Sequence, residues 1–247
     1  MKKLLLILLM VCSFAFGAEN INVYTYHNHA PFIIDKNLGL SHKLVESLNK
    51  NSKGLYNFKL KIVPRNRLNY ILKPWIQNKC HKTNQCQSNW IVLWVNQKWG
   101  FGQDSSTTFS WTKLFKDSNS IIYKKSQNFN YQNPNSLIGK KLAGIAGHRY
   151  IGIDELVKQG KIKRIDGNSE EVNLEKVLSK RVDATLLPTS SFNYYLKKNK
   201  SFKGLKKAKT SHQIYMRNIM STAQNIKLTN YLQSLNYQGI LKEYAKK

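Results

Sequence analysis

The sequence predicts a mixed α/β fold in which mainly parallel sheets are flanked by helices. Short apolar stretches with a two-residue period alternate along the chain with stretches whose apolar residues recur every three or four positions. This alternation is typical of parallel strands joined by crossover helices. Three of the predicted strands end in loops rich in aromatic and polar side chains, at the position where α/β folds bind ligands.

Residues 1–18, MKKLLLILLMVCSFAFGA, contain two lysines, an apolar run and then small residues, and they predict a cleaved secretory signal peptide. Cleavage after Gly17 or after Ala18 fits the pattern. A lipoprotein anchored through Cys12 is the alternative, but the residue before Cys12 is not small. The apolar run is too short to span a membrane, so we expect an exported, periplasmic protein.

The charge balance is strongly basic, with 40 lysines and arginines against 13 acidic residues and a formal charge of +27. Such a charge attracts anions and anionic surfaces. The lysines are scattered along the whole chain and do not alternate with aromatic residues as on a nucleic-acid platform. We therefore predict no nucleic-acid partner, and the sequence gives no reason for the charge.

Two cysteines follow the leader, Cys80 and Cys86, with five polar or basic residues between them. In an oxidising compartment this spacing predicts a disulfide. A metal site that also uses His81 is the alternative, but the nearby sequence offers no further ligands. We predict the bridge, and neither a metal nor a cofactor.

The first predicted unit is a strand at Val23–Tyr26, a polar loop that Pro31 interrupts, and a helix that begins after Gly39. A second unit repeats the order, and the remaining elements alternate in the same way. They are a strand at 55–63, a helix that runs up to Pro74, strands at 87–95 and 111–124, strands at 141–147, 162–165, 184–187 and 211–220, helices at 150–159, 170–179, 191–197 and 226–244, a polar turn-rich segment at 126–136 and a lysine-rich surface loop at 198–209.

Four short motifs occur in a fixed order along the chain: Ala30-Pro31-Phe32, Gly39-Leu40, LIGKKLAGI at 137–145 and LSKRVDA at 178–184. Together with the leader they resemble the type II periplasmic binding proteins, specifically extracellular solute-binding protein family 3, which is associated with polar amino-acid import. The resemblance covers essentially the whole chain after the leader.

The resemblance implies two α/β lobes joined by two hinge strands, with a ligand held in the cleft between them. On that pattern lobe 1 is discontinuous, 19–120 plus 208–247, and lobe 2 is 121–207. It also implies a monomer that delivers a small polar solute to the membrane permease of an ABC importer. A transport-independent solute sensor, or a periplasmic lyase or hydrolase on the same scaffold, is the alternative.

The chain departs from the family at two positions that matter for the ligand. The lobe 1 region lacks the Thr-Arg pair that takes the ligand carboxylate, and Thr189 stands where an acidic residue takes the ammonium group. We therefore predict an amino acid or a related anionic or zwitterionic compound, without naming it.

Ten residues at predicted strand ends and helix starts are candidate ligand contacts, because they offer aromatic walls, amides, hydroxyls and fixed positive charge. Arg67, which we prefer to Arg65, can clamp a carboxylate, and Arg149 adds charge at a helix start. Solvated loops, core packing and helix capping are the alternative explanations for all of them. The candidates are Tyr26, His27, Asn28, Phe32, Arg67, Trp94, Asn96, Trp99, Arg149 and Thr189.

The sequence gives little support for catalysis. Its few acidic residues form no recognisable pair for acid–base chemistry, and it contains no GxSxG, HExxH or phosphate-loop motif. We predict a binding protein without catalytic residues.

Overall fold

The computed structural model describes residues 17–77, 79–80, 86–101 and 105–241. The predicted signal peptide lies outside this part of the chain except for its last two residues. The described strands are β1 (Glu19–Thr25), β2 (Tyr56–Ile62), β3 (Trp90–Val95), β4 (Phe109–Lys124), β5 (Lys141–Ile145), β6 (Lys163–Gly167), β7 (Ala184–Pro188), β8 (Leu205–Lys207) and β9 (Gln213–Thr222). The described helices are α1 (Leu40–Asn51), α2 (Arg65–Ile76), α3 (Ser105–Thr108), α4 (Asp154–Lys158), α5 (Glu170–Leu178), α6 (Thr189–Lys198), α7 (Ile226–Ser234) and α8 (Gln238–Leu241).

The strands of the described residues form one sheet in the order β2-β1-β3-β9-β4-β7-β5-β6, and β8 pairs with β4. The pairs within the two outer parts of the sheet are parallel, whereas every antiparallel pair includes β4 or β9. Strands β4 and β9 run side by side from the Phe109–Thr222 pair to the Asn119–Gln213 pair. The end of β4 then pairs with β7 and β8. These two strands therefore connect the two outer parts.

The buried apolar residues divide in the same way. Two clusters draw on residues 21–115 and 219–241, and they pack α1, α2, α7 and α8 on β1 and β3. Two further clusters draw on residues 121–208 and pack α5 and α6 on β5 and β7. The exception is Ala30, which belongs by sequence to the first part but packs in a cluster of the second. We call these parts the first half and the second half.

Helix α1 illustrates how the sequence pattern produces the first half. Its apolar positions Leu40, Leu44, Val45 and Leu48 are all buried, as their spacing predicts. Gly39 precedes the helix at φ 130°, and a Cβ there would collide with the carbonyl oxygen of Phe32. Only glycine tolerates both the backbone angle and this close approach, so Gly39 sets the path of the loop between β1 and α1.

Two expectations about local structure were wrong. Helix α2 does not stop at Pro74 but ends at Ile76. Pro74 removes one backbone donor from the last turn, and the burial of Trp75 against Trp90 offsets that loss. The lysine-rich segment is not wholly a surface loop, since Phe202 and Leu205 are buried in a 3-10 turn and in β8. The many lysines indicated a wholly exposed segment, so the burial of Phe202 and Leu205 was not predicted.

The predicted disulfide between Cys80 and Cys86 is present, with an S–S distance of 2.07 Å. His81, the ligand in the alternative metal site, lies outside the described residues. Within the described ranges, no helix is both long enough and apolar enough to cross a membrane.

Candidate ligand site at the junction of the two halves

The loop after β1 lies where the two halves meet and forms an aromatic cluster. The rings of Tyr26 and His27 lie 4.3 Å apart, and Phe32 lies 5.4 Å from both His27 and His29. The first turn of α1 holds the loop, because the backbone N–H groups of Leu40 and Ser41 donate to the Pro31 and Phe32 carbonyls. These bonds fix the direction in which the rings point.

The connecting strands contribute a buried ion pair to the same place. Arg217 of β9 donates through Nε to Asp117 Oδ2 of β4 at 2.8 Å, and both side chains are almost fully buried. Asp117 also accepts from the Ser118 N–H, the Ser190 N–H and the Ser190 hydroxyl. A buried carboxylate with this many donors is fully satisfied.

The rest of the Arg217 guanidinium is also engaged. Nη1 donates to the Trp94 carbonyl at 3.1 Å, and Nη2 donates to the Tyr215 hydroxyl at 3.2 Å. The guanidinium carbon lies 4.4 Å from the Phe32 ring centre and 5.6 Å from that of Trp99, within range of cation–π attraction. The arginine therefore ties β3, β9 and the aromatic loop together.

An irregularity in β3 makes one of these bonds possible. The register between β3 and β9 shifts between Val92 and Val95, and Trp94 has φ 67° within the bulge. A positive φ is costly for a bulky side chain. In this conformation the Trp94 carbonyl accepts from Arg217 while its indole N–H donates to the Ser41 hydroxyl at 2.8 Å.

The field of Arg217 acts on the neighbouring histidine. Burial, and then the positive charge of Arg217, lower the pKa of His27 well below its usual value. His27 is therefore neutral at physiological pH. Its Nε2 lies 3.5 Å from Arg217 Nη1, and the neutral ring can accept from that group.

A second polar contact joins the two halves directly. His29, from the loop after β1, has its Nδ1 atom 3.3 Å from Oε2 of Glu170, the first residue of α5. The same nitrogen lies 3.1 Å from the hydroxyl of Ser191 on α6. The side chains of His29 and Glu170 are 16% and 6% exposed, so this contact is largely shielded from solvent. We call the aromatic loop, the buried ion pair and this contact the junction cluster, which comprises Tyr26, His27, His29, Phe32, Trp99, Asp117, Glu170, Ser190, Ser191, Tyr215 and Arg217.

Four of the ten candidate residues lie in the junction cluster: Tyr26, His27, Phe32 and Trp99. The Trp99 ring lies 4.9 Å from that of Tyr215, and Arg65, not Arg67, supports this edge of the cluster. Arg65 donates to the Tyr26 hydroxyl at 3.0 Å and to the Trp99 carbonyl.

The other six candidates lie elsewhere or have partners within the fold. Trp94 is fully buried, and Asn96 donates to the Met216 carbonyl at 2.8 Å. The Thr189 hydroxyl bonds with those of Ser118 and Ser120, both at 2.7 Å. The remaining three side chains are exposed: Asn28, Arg67 and Arg149.

Seven members of the junction cluster were not among the ten candidates, although each makes a hydrogen bond or an ionic contact: His29, Asp117, Glu170, Ser190, Ser191, Tyr215 and Arg217. A signal for one of them was present, because Arg217 interrupts the apolar half of a predicted strand, where an unpaired charge is costly. Its partner Asp117 is 100 positions away, and no local pattern connects the two.

Comparisons with solved structures identify proteins with a similar fold. No family model matches the chain, and no curated protein matches it in sequence. An ancestral arginine-binding protein, solved with arginine bound, is 17% identical, with a TM-score of 0.62 over 92% of this chain and 98% of that one. The substrate-binding protein of an amino acid ABC transporter is 14% identical, with a TM-score of 0.59 over 92% and 100%.

A third solved structure is the L-cystine solute receptor of Neisseria gonorrhoeae in its unliganded open conformation. It is 17% identical, with a TM-score of 0.57 over 91% of this chain and 88% of that one. The likeness to these structures is consistent with the resemblance to extracellular solute-binding protein family 3. The chain therefore has the predicted α/β fold, the two-lobed architecture of type II periplasmic binding proteins.

Proposed function

We propose that this protein captures a small polar solute, an amino acid or a related anionic or zwitterionic compound, in a cleft between two lobes. It releases the solute to the membrane permease of an ABC importer. It works as a monomer in the periplasm after its signal peptide is removed, and it catalyses no reaction.

The observation that carries this proposal is the junction cluster itself. The aromatic loop of the first half meets a carboxylate and a hydroxyl of the second half at the His29–Glu170 and His29–Ser191 contacts. Binding sites combine apolar walls with a few fixed polar groups in this way. Because the groups come from both halves, a solute bound between them would favour closure over opening.

The fold adds support for the transport role. The similar structures are those of an arginine-binding protein, an amino acid transporter's substrate-binding protein and a cystine receptor. We propose the lobe limits 19–120 plus 208–247 and 121–207. The division of the buried clusters supports them except at Ala30 and Ala208, which pack in clusters of the second half. The four candidates in the junction cluster are the first residues to test as solute contacts.

A thermal-shift screen tests the proposal. The purified protein, processed as the cell processes it, is heated with amino acids, organic acids, polyamines and sugars in turn. We expect at least one solute to raise the melting temperature, because a ligand at 100 times its Kd adds about 2.7 kcal/mol to the stability of the folded state. If no solute in the panel raises it, the binding function is wrong.

A pair of aromatic variants then locates the site. Trp99→Ala removes a ring from the junction cluster, and we expect it to weaken the solute found in the screen by about 10-fold, which corresponds to about 1.4 kcal/mol. Tyr70→Ala removes an exposed ring from α2 and serves as the matched control. Equal affinities for the two variants, measured by calorimetry, would place the solute elsewhere.

A further inference from the structure

Glu170 is a buried carboxylate whose bonding is incomplete. It is 5% exposed, and its Oε2 atom has no hydrogen bond among the described residues. A buried ionised carboxylate is costly unless it is paired and hydrogen-bonded. An unsatisfied carboxylate oxygen at the junction of two halves therefore requires an explanation.

The neighbouring histidine, His29, satisfies the Glu170 carboxylate only in part. His29 Nδ1 lies 3.3 Å from Oε2, which is an ion-pair distance, but the geometry is not that of a hydrogen bond. The same nitrogen lies 3.2 Å from the Ala30 carbonyl and 3.1 Å from the Ser191 hydroxyl. Because a carbonyl only accepts, a proton on Nδ1 is shared among these oxygens, and Glu170 receives at best a fraction of it.

Glu170 lies at the start of a helix, a position that suits a carboxylate. It begins α5, a helix of nine residues whose cap is already made by the Ser169 hydroxyl and the Val172 N–H. The N-terminal end of a helix favours negative charge. The described residues within 4 Å offer Glu170 no lysine or arginine as an ion partner.

The other buried carboxylate of the junction cluster, Asp117, is not available to bind a ligand cation. Its two oxygens already accept from Arg217, Ser118 and Ser190, so a ligand cation would have to displace Arg217 from a buried pair. The carboxylate oxygen of the junction cluster that lacks a hydrogen bond is Oε2 of Glu170.

We propose that Glu170 is the cation subsite of the solute site, and that the natural solute carries a protonated primary amine. This inference rests on the proposed binding function and narrows it. The ammonium group takes Oε2 as the halves close and replaces His29 as the main partner of the carboxylate. A zwitterion or an organic cation meets this requirement, whereas a purely anionic or uncharged solute would leave Oε2 unsatisfied.

The first test compares matched solutes on the unaltered protein. Standard amino acids, putrescine and spermidine provide the ammonium group, while the N-acetyl amino acids, malate and glucose lack it. We expect calorimetry to detect binding only for probes with a free amine. N-acetylation of the bound amino acid should weaken it by about 30-fold or more, as expected when a buried charge loses its hydrogen-bonded partner.

The second test changes the protein. Glu170→Gln keeps the shape of the side chain and removes its charge, so we expect it to weaken the amine by about 30-fold or more. Glu171→Gln makes the same change at the exposed neighbour on α5, and we expect it to leave the affinity unchanged. The comparison of matched solutes does not depend on the folding of either variant.

The outcomes separate the two proposals. If no probe binds, the binding function fails, and the cation subsite fails with it. If malate, glucose or an N-acetyl amino acid binds as tightly as the amines, or if Glu170→Gln binds the amine as tightly as the parent, the binding function stands and the cation subsite is wrong.

Discussion

Asp117 and Glu170 are both buried carboxylates at the junction of the two halves, but they differ in their hydrogen-bond partners. Asp117 lies on β4 and pairs with Arg217 on the adjacent strand β9, with further donors from Ser118 and Ser190. Glu170 lies on α5 and faces His29 from the other half, with Oε2 lacking a hydrogen bond. Asp117 therefore has a donor at each oxygen, whereas Oε2 of Glu170 has only the contact with His29 from the other half.

The difference predicts which interaction would survive if the halves moved apart, as the proposed function requires. The Asp117–Arg217 pair joins two neighbouring strands that are hydrogen-bonded to each other, so separation of the halves leaves it in place. The His29–Glu170 contact joins a loop of the first half to a helix of the second, and separation breaks it. The first pair belongs to the connecting strands, and the second bridges the two halves.

Removing the charge of Asp117 should have the largest effect on stability. We expect Asp117→Asn to lower the free energy of unfolding by about 3–5 kcal/mol, because it leaves the buried Arg217 guanidinium without its counter-charge. Urea unfolding followed by circular dichroism measures the change. Glu170→Gln is the matched variant, and we expect it to stay within about 1 kcal/mol of the parent, since Oε2 makes no hydrogen bond. Equal losses in the two variants would remove the distinction between the two carboxylates.

The pH dependence of stability tests the field of the Asp117–Arg217 pair on His27. The unfolded chain takes up a proton on His27 below about pH 6.5, whereas the folded chain resists it because burial and Arg217 lower the pKa. Stability from this residue is therefore present above pH 6.5 and is lost as the pH falls, by up to about 1.4 kcal/mol per pH unit.

We expect His27→Gln to remove that part of the slope when urea unfolding is measured at pH 7, 6 and 5. A residual slope should remain, because desolvation also lowers the pKa of His148 and of His212. A variant with the same slope as the parent would show that His27 is not held neutral by its surroundings.

The two arginines at the start of α2 give the smallest expected effect. Arg65 donates to the Tyr26 hydroxyl, to the Trp99 carbonyl and to Asn69, and we expect Arg65→Gln to lower the free energy of unfolding by about 1 kcal/mol. Arg67 is exposed, so Arg67→Gln should change it by less than about 0.5 kcal/mol. Chemical denaturation of both variants measures the difference, and a larger loss for Arg67→Gln would reverse the assignment.

The periodic elements were predictable because their cause is local. The buried positions of α1 follow the helical spacing of its leucines and valine, and all six residues of β3 are buried, as an unbroken apolar run predicts. The prediction was wrong where a local signal conflicted with packing. Helix α2 continues past Pro74, where Trp75 is buried, and the lysine-rich segment contains the buried Phe202.

The site was predictable only at the level of its loops. The loop after β1 and the loop after β3 each supply aromatic residues to the junction cluster, as expected for strand ends that share one edge of a sheet. Individual side chains were not predictable in the same way. Arg65 and Arg67 are two positions apart and differ only in the side of the helix on which they lie, so the choice between them required the orientation of α2.

The sequence by itself determined the α/β alternation, the two-lobed fold by resemblance and the cysteine bridge, because periodicity, motif order and short spacing are properties of neighbouring residues. The tertiary structure decided which charges meet. Asp117 and Arg217 are 100 positions apart, and His29 reaches Glu170 only because the chain folds one half against the other. The free energy of a buried charge depends on its partners in space, and the order of residues along the chain does not encode those partners in a readable form.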